Sequence, residues 1–270
     1  MRRMRDSLSG WVVITVLVVL WEITTRIARS PFFPPPTEIA DMARQLWLSG
    51  PASHLFLSDT VFTDILTSLA RMLGGWSLAA LLGVSLGVLL GRSATAMDYL
   101  GPILAFLRAI PPPTLVPVFL ALFSLGTPMQ VATIVFGSIW PILLNSVDGA
   151  RSVDRTKTET ARAFRLSTVD WVLGVVLPAA SPKIFAGLRV SLSLSLVLMV
   201  ISELVGSTEG IGNRLLFAQR QFDFPAMWAG IVLLGVLGFL LNTALSAVER
   251  RALAWQPANR QAALAAGTGA

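Results

Sequence analysis

Apolar residues are gathered along this chain in six long runs, separated by shorter polar segments. Each run is about as long as the roughly 20 predominantly apolar residues that a membrane-spanning helix needs. None of them alternates apolar and polar residues as a strand of a transmembrane barrel does. The pattern therefore predicts an all-α polytopic membrane protein with six transmembrane helices. These cover Leu8–Ile27, Ser68–Gly91, Tyr99–Leu122, Met129–Val147, Ile184–Leu204 and Ala226–Val248.

The first run has a second interpretation, because MRRMR before a short apolar core is also the pattern of a cleaved signal peptide. The residues ARS at 28–30 are a poor small-x-small cleavage site, so we favour a permanent span. Residues 28–67 are then an outer loop that contains a short amphipathic helix. Residues 68–250 are expected to form the core domain, and residues 251–270 a tail.

Composition supports a membrane protein and excludes several kinds of site. Only 13% of the residues are charged and the mean hydropathy is +0.71, whereas about 25% of a soluble domain is charged. With no cysteine and one histidine, His54, a disulfide framework, a zinc site and a haem site are not expected. The net charge of +6 is spread between the apolar runs and not over one soluble face, so nucleic acid is not an expected partner.

The orientation of the spans follows from their flanking lysines and arginines, which favour the cytoplasmic side. If the N-terminus lies inside, thirteen of the 21 basic residues are inside and six, including Arg71, are outside. Arg108 and Arg189 fall within spans. The bias predicts that both termini and the polar segment at about 150–183 are cytoplasmic.

The second span carries a small residue at every fourth position. Such a seam lets another helix approach closely within lipid. The partner is either a helix of the same subunit or a second subunit. The seam consists of Gly75, Ala79, Gly83, Gly87 and Gly91.

The third span is interrupted by prolines, which remove backbone donors and clash with the preceding turn. Irregular backbone at membrane depth is tolerated only where it is buried in protein or lines a watery cavity, and transporters use broken helices along substrate paths. Arg108, one turn earlier, either offers its charge to an anion or extends toward the cytoplasm beside a purely structural kink. The candidate path residues here are Arg108, Pro111, Pro112 and Pro113.

The fifth span supplies a second set of candidates for a path or gate. Ionisable residues inside spans are functional candidates by default. Glu203, near the outer end, is either an interfacial anchor or part of an outer gate. Ser195 and Met199 of the same span are further candidates.

The cytoplasmic segment between the fourth and fifth spans is expected to hold two short helices. Thr156 and Glu159 have the spacing of a capping box, and Asp154 is a competing N-cap. The helix then places Thr160, Ala161 and Phe164 near one face. A second helix is expected from Ser167 to the prolines at 178 and 182. The first helix could either insert into a groove of another protein or lie on the bilayer surface. The small Ala161 beside the aromatic Phe164 suits a protein groove better.

This segment resembles the coupling loop, or EAA motif, of permease subunits of bacterial ABC importers. Glu159, Thr160 and Ala161 match the start of the motif with one substitution, and Leu177-Pro178 follows at the expected distance. Nearly the whole chain is similar to the nitrate/sulfonate/taurine permease family. The similar stretches are FFPPPTEI, SLARMLGGW, RAIPPPTLVPVFLALFSLG, LPAASPKIFAGLR and VERRALAW.

The resemblance implies a type I importer permease fold whose coupling helix lies between the fourth and fifth spans. It also implies that the chain lies in the bacterial inner membrane. Its expected partners are two ATPase subunits that bind ATP and Mg, a second permease copy or close homologue, and a periplasmic or lipid-anchored binding protein. The chain has no G-x-x-x-x-G-K-[ST] phosphate loop of its own, so it is not expected to be an enzyme or to bind a cofactor. The residues expected to dock to the ATPase are Thr156, Glu159, Thr160, Ala161, Phe164 and Arg165.

Two departures from the family pattern bear on this interpretation. Arg165 occupies the glycine position of the motif, and a left-handed backbone there would cost a non-glycine residue on the order of 1 kcal/mol. The tryptophan-phenylalanine-glycine stretch that is usual after the third span is replaced by LFSLG. Sulfonate-, taurine- or nitrate-like anions are favoured over a neutral heterocycle or vitamin precursor.

Three other classes of membrane protein rank lower. An ion-driven secondary transporter or channel would place more charges at the centres of its spans. An intramembrane enzyme would need a Ser-Lys, paired-Asp or metal constellation within the spans, and the sequence shows none. The coupling-loop pattern belongs to importers and therefore disfavours an exporter.

Overall fold

The computed structural model describes residues 2–255, and within that range the regular structure is entirely helical. Short 3₁₀ turns lie at Ala52–His54 and Pro112–Leu115, and single π-helical turns lie at Val61–Ile65 and Val172–Val176. The α-helices are α1 (Arg2–Ala28), α2 (Pro36–Trp47), α3 (Leu66–Gly91), α4 (Ala94–Ala109), α5 (Val116–Phe123), α6 (Thr127–Arg151), α7 (Arg155–Ala163), α8 (Thr168–Trp171), α9 (Leu177–Gly206), α10 (Ile211–Arg220) and α11 (Phe224–Ala252).

Four continuous helical segments in the described residues are long and apolar enough to cross a membrane, and a fifth is obtained if α4 and α5 together form one span. These five correspond to the second through sixth predicted spans. The first predicted span falls within α1, whose side chains are described from Val12 onward, so the total of six stays a prediction. The four continuous segments are Val61–Gly91, Thr127–Arg151, Thr168–Gly206 and Phe224–Ala252.

The predicted interruption of the third span is confirmed. α4 ends at Ala109, and the chain bends by 84° before continuing as the 3₁₀ turn and α5. The break coincides with Pro111 to Pro113, where the missing N–H groups prevent a continuous α-helical ladder. Pro112 lies against α6, since a Cβ added to Gly137 would lie 3.0 Å from the Pro112 Cγ.

The described residues divide into two compact units. The first comprises residues 2–68 and 207–236, and the second comprises residues 69–206 and 237–255. In the first unit, α1 packs against the start of α11 through Trp21 and Trp228, whose ring centroids are 5.4 Å apart. The Trp228 indole N–H also donates to the carbonyl of Phe32 at 3.0 Å. Aromatic contacts therefore join the end of α1 to the start of α11 in this unit.

The second unit is built around α6, which packs against α9 on one side and α3 on another. α6 and α9 are antiparallel, because Gly149 approaches Ala180 whereas Gly137 approaches Leu198. The backbones come close at Gly187, where an added Cβ would lie 2.7 Å from the carbonyl oxygen of Pro141. Small residues thus set the separation of these two long helices.

The small-residue seam of α3 packs against α6 of the same chain, as the first of the two interpretations predicts. A Cβ at Gly75 would lie 2.8 Å from Ile134, and one at Gly83 would lie 3.0 Å from Ile142. At Gly87 the added atom would lie 2.5 Å from the Ser146 Cβ and 2.6 Å from the carbonyl oxygen of Leu143. Ala79 is fully buried. At the end of the seam, a Cβ at Gly91 would lie 2.6 Å from the carbonyl oxygen of Val147 and 2.8 Å from the Ala150 Cβ. α6 therefore occupies the surface that a second subunit would otherwise have used.

The prediction that Pro178 and Pro182 end the second cytoplasmic helix is wrong. α8, the π-helical turn Val172–Val176 and α9 form one continuous helical segment, Thr168–Gly206. In the π turn the Leu177 N–H bonds to the carbonyl of Val172, five residues back. This wider turn accommodates the Pro178 ring, which in a regular helix would meet the carbonyl four residues earlier.

The second proline is accommodated by a neighbouring hydroxyl. Pro182 has no N–H to donate to the carbonyl of Pro178, and the Ser181 hydroxyl donates to that carbonyl instead at 2.7 Å. The helix therefore continues through both prolines. Neither device has a clear signal in a single sequence.

Candidate functional site

The N-terminus of α7 is capped by Asp154. Its side-chain Oδ1 accepts a hydrogen bond from the Thr156 N–H at 3.2 Å. The predicted capping box of Thr156 and Glu159 is wrong, because Glu159 instead pairs with Arg155 at 2.8 Å, one helical turn away. Because Asp154 is the N-cap, Arg155 is already helical. It lies four residues before Glu159, a spacing at which oppositely charged side chains on a helix are neighbours.

The C-terminus of α7 closes in a Schellman motif. The Leu166 N–H bonds to the Ala161 carbonyl and the Arg165 N–H bonds to the Arg162 carbonyl, both at 3.0 Å. The motif requires a left-handed residue at Arg165, whose φ is +51°. Arg165 thus keeps the backbone conformation for which the family motif uses glycine.

Restoring glycine at this position is expected to stabilise the protein. The Arg165→Gly variant removes a Cβ from a left-handed backbone, and we expect the free energy of unfolding to rise by about 1 kcal/mol. Thermal unfolding of the purified protein measures the change. Arg162→Gly, within the same helix, is the matched control and is expected to destabilise. A fall in stability for Arg165→Gly would contradict the strain at this position.

One face of α7 borders an open groove of about 460 Å³. Ala161 is buried, with 9% of its surface exposed, whereas Phe164 at the end of the helix is 77% exposed. Of the predicted docking residues, Glu159 and Arg165 do not line the groove. The lining residues are Asp154, Thr156, Lys157, Thr160, Ala161, Phe164, Leu166 and Val175.

The base of this segment packs against the ends of three long helices. A buried cluster joins Val88 of α3 and Ala150 of α6 to Val176 and Ala180 at the start of α9. Arg92, just after α3, donates to the carbonyl of Ala150 at 3.3 Å, and its guanidinium lies 5.4 Å from the centre of the Trp171 ring. The residues that flank α7 on both sides, Val153 and Val176, are therefore part of one buried cluster with α3 and α6.

The candidate path residues fall into two environments. Arg108, Pro111 and Pro113 are exposed, at or next to the bend between α4 and α5. Ser195, Met199 and Glu203 are buried within the second unit. Pro112 is half-buried, and its ring and the Leu198 side chain of α9 both lie against Gly137. The structure thus brings four of the six predicted docking residues around one groove, and it brings the 3₁₀ turn of the third span into contact with α9.

Sequence reasoning missed the partner of Glu203. Arg71, counted above with the outer residues, lies inside α3, and 11% of its side chain is exposed. Its Nη1 is 3.4 Å from the Glu203 carboxylate and its Nε donates to the Thr127 hydroxyl at 3.2 Å. Arg71 therefore ties α3, α6 and α9 together. The available signal is that both charges fall within predicted spans, where charges are usually paired.

The family of the chain follows from comparison with known proteins. The pattern of the family described as binding-protein-dependent transport system inner membrane component matches residues 79–253. The chain belongs to this family. It is a multi-pass membrane subunit of an ABC transport system, and the permease family predicted from the sequence motifs is confirmed.

Three curated members of the family extend over most of the chain. The bicarbonate transport permease CmpB of Synechococcus elongatus is 30% identical over 257 residues, 93% of this chain and 92% of that one. The putative aliphatic sulfonates transport permease SsuC of Bacillus subtilis is 29% identical over 257 residues, with 94% and 90% covered. The taurine transport permease TauC of Escherichia coli is 28% identical over 250 residues, with 92% and 90% covered.

A solved structure shares the fold of this family member. A chain of the methionine ABC transporter MetNI, in an inward-facing conformation, superposes with a TM-score of 0.62 at 19% sequence identity. The match covers 70% of this chain and 94% of the other. Identity at this level supports the fold alone.

Proposed function

We propose that this chain forms the translocation path of an ATP-driven importer for a small anion. A second permease copy or close homologue pairs with it, and a periplasmic or lipid-anchored binding protein delivers the solute. Two ATPase subunits bind ATP and Mg and drive transport from the cytoplasm. In this arrangement six spans cross the inner membrane, both termini are cytoplasmic, and α7 is the coupling helix.

The geometry of α7 is the observation that carries the proposal. Its first turn is fixed by Asp154, and its last turn is fixed by the Schellman motif. An aromatic side chain that is 77% exposed at Phe164 stands beside a groove. A rigid helix presenting one exposed aromatic anchor is typical of a protein-docking element. It is poorly suited to lying on lipid, because its exposed face also carries Thr160, Lys157 and Glu159.

The packing behind α7 supports a coupling role. A buried cluster begins at Val153, two residues before α7, and includes residues of α3, α6 and α9. An ATPase that moves α7 would therefore act on three long helices at once. Transport driven by an ATPase requires the permease to change conformation, and close-packed helices can transmit such a displacement.

Two observations support an anionic solute. The curated relatives are named for bicarbonate, sulfonates and taurine. Arg108 lies exposed in the last turn of α4, immediately before the proline bend. A guanidinium beside irregular backbone can offer both charge and hydrogen bonds to a passing anion.

The experiment is co-purification and transport with the cognate ATPase and binding protein in proteoliposomes. Phe164→Asp is expected to release the ATPase or to abolish solute-stimulated ATP hydrolysis, because a charge replaces the apolar anchor. Glu159→Lys is expected to weaken the complex less, since Glu159 lies outside the groove. Phe164→Leu keeps an apolar anchor, and Asp41→Lys reverses an exposed charge on α2, outside the proposed docking segment. Both controls are expected to behave as wild type.

Two outcomes would contradict the proposal. Full assembly and uptake by Phe164→Asp would show that α7 does not transmit the ATPase stroke. Substrate class is tested in the same vesicles with taurine, an alkanesulfonate, nitrate and bicarbonate beside a neutral thiamine-precursor pyrimidine. If the vesicles take up only the pyrimidine in an ATP-dependent way, the transported solute is a neutral heterocycle and not an anion.

A further inference from the structure

A second cavity lies in the first unit, away from α7. Its volume is about 660 Å³, and it opens between the end of α1, the start of α2 and the turn that leads into α11. Charged and aromatic side chains line it together. They include Arg26, Arg29, Phe32, Glu38, Phe222 and Phe224.

The cavity carries one positive and one negative group without a counter-ion. Arg26 is already engaged, since its Nε lies 2.5 Å from Glu22 and its Nη2 donates to Thr37 at 3.0 Å. Arg29 and Glu38 are both exposed, and neither forms an ion pair with any residue between 2 and 255. A ligand with both an anionic and a cationic group would satisfy the two side chains at once.

Aromatic rings form the apolar part of the cavity. Phe32 and Phe224 pack edge to face with centroids 4.9 Å apart, and Phe222 lies 6.3 Å from Phe224. Phe222 is 75% exposed despite its size. Exposed rings next to charged groups bind alkyl chains, and their faces attract ammonium groups.

Two of the lining residues hold a backbone conformation that side chains disfavour. Arg29 has φ of +48° and Phe222 has φ of +59°. Each terminates a helix at a position where glycine is usual, and left-handed backbone costs a bulky residue about 1 kcal/mol or more. Retaining arginine and phenylalanine there keeps both side chains at the cavity.

The position of the cavity at the end of α1 indicates which class of ligand has access to it. Most side chains of α1 from Val12 to Ile23 are exposed and apolar, Ile27 is 77% exposed, and Arg29 follows Ile27 by two residues. On a helix that faces lipid, the end of the apolar surface marks the headgroup region, where aromatic and basic residues collect. Phospholipid headgroups are the zwitterions present at that depth.

We propose that this cavity binds the headgroup of phosphatidylethanolamine. The Arg29 guanidinium donates to the phosphate, the Glu38 carboxylate accepts from the primary ammonium, and the Phe32 and Phe222 rings cover the connecting carbons and the first part of an acyl chain. The recognised chemistry is a phosphate and a primary ammonium joined by two carbons. The site goes beyond the transport role and does not depend on the identity of the transported solute.

The test is lipid binding to the full-length chain in detergent, followed by native mass spectrometry and thermal unfolding. Phosphatidylethanolamine is expected to bind at least tenfold more tightly than phosphatidylglycerol, which lacks the ammonium, and than phosphatidylcholine, whose ammonium has no N–H. Arg29→Gln is expected to weaken both phosphatidylethanolamine and phosphatidylglycerol tenfold or more. Glu38→Gln is expected to lower phosphatidylethanolamine to the level of phosphatidylglycerol and leave the latter unchanged.

Matched controls separate the site from general charge. Arg44→Gln removes an exposed arginine of α2 that does not line the cavity, and it is expected to bind lipid as wild type. Unfolding without added lipid verifies that each variant is folded. Equal affinity of the wild type for the three lipids, or unchanged binding by Arg29→Gln, would overturn the proposal. Free phosphoethanolamine binding as tightly as the lipid would also overturn it, in favour of a soluble zwitterion.

Discussion

Replacing Gly87 with alanine is expected to destabilise the protein by about 1–3 kcal/mol, the usual range for overpacking. The added methyl carbon would lie 2.5 Å from the Ser146 Cβ and 2.6 Å from the Leu143 carbonyl oxygen. Neither neighbour is the end of a flexible side chain, so α3 and α6 must separate. Loss of close backbone approach removes the contacts that hold helices together in lipid.

The same substitution at Gly74 provides the control, because a Cβ there would meet nothing within 4 Å. Alanine is a better helix former than glycine by roughly 0.5–1 kcal/mol, so Gly74→Ala is expected to stabilise. The two variants differ only in which side of α3 receives one methyl group. Thermal unfolding in detergent should shift in opposite directions. Shifts of the same sign for both variants would contradict the packing of α3 on α6.

Replacing Glu203 with alanine is expected to cost about 3–5 kcal/mol, as is usual when one partner of a buried ion pair is removed. Glu203 is 1% exposed, and its carboxylate lies 3.4 Å from the guanidinium of Arg71. The variant leaves the Arg71 charge largely enclosed among α3, α6 and α9 without that carboxylate. We expect a large fall in thermal stability and loss of monodisperse protein.

A double variant separates the cost of an uncompensated charge from the cost of losing the pair. Arg71→Met combined with Glu203→Leu removes both charges and keeps similar volume, which is often nearly neutral for a buried pair. We expect the double variant to regain most of the stability that Glu203→Ala loses. If Glu203→Ala unfolds at the wild-type temperature, the ion pair does not hold these helices together.

Local features of the fold could be predicted well from the sequence. Prolines 111–113 predict the break between α4 and α5, because proline lacks an N–H whatever surrounds it. The four-residue spacing of glycines in α3 predicts a close helix contact, and α6 provides it. The missing motif glycine leaves either a strained left-handed Arg165 or a different turn, and the structure has the left-handed residue, with φ of +51°. Each of these properties depends on a few neighbouring residues.

Other features of the fold could not be predicted, because the sequence allows two local structures there or because the interacting residues are far apart in the chain. Asp154 and Thr156 both suit the N-cap position, and Glu159 has the spacing for either interaction, three residues after Thr156 for a capping box or four after Arg155 for an ion pair. Pro178 predicts a helix end unless the preceding turn widens, which is a tertiary effect. Arg71 and Glu203 are 132 residues apart, so their pairing cannot be inferred from one sequence without knowing how α3 and α9 pack.

The same limits apply to the candidate sites. The α7 residues could be predicted because they lie close together in a short stretch that resembles the coupling loop of the family. The cavity with Arg29, Glu38 and Phe222 was not predicted, because three separate segments contribute to it. Exposed left-handed arginine and phenylalanine residues are the structural signal that points to it, and backbone conformation of that kind is not visible in composition or periodicity.

The π-helical turn at Val172–Val176 also has an evolutionary consequence. A π turn contains one residue more than the α-helical turn it replaces, so it is equivalent to a single-residue insertion. Deleting one residue there would restore α-helical geometry but bring the Pro178 ring against the carbonyl of Gly174. Deletion in α9 between Pro178 and Gly187 would rotate every later side chain by about 100° and turn Gly187 away from Pro141. The extra residue and Pro178 are therefore coupled, and a deletion in the π turn costs less stability in a chain that has also lost the proline.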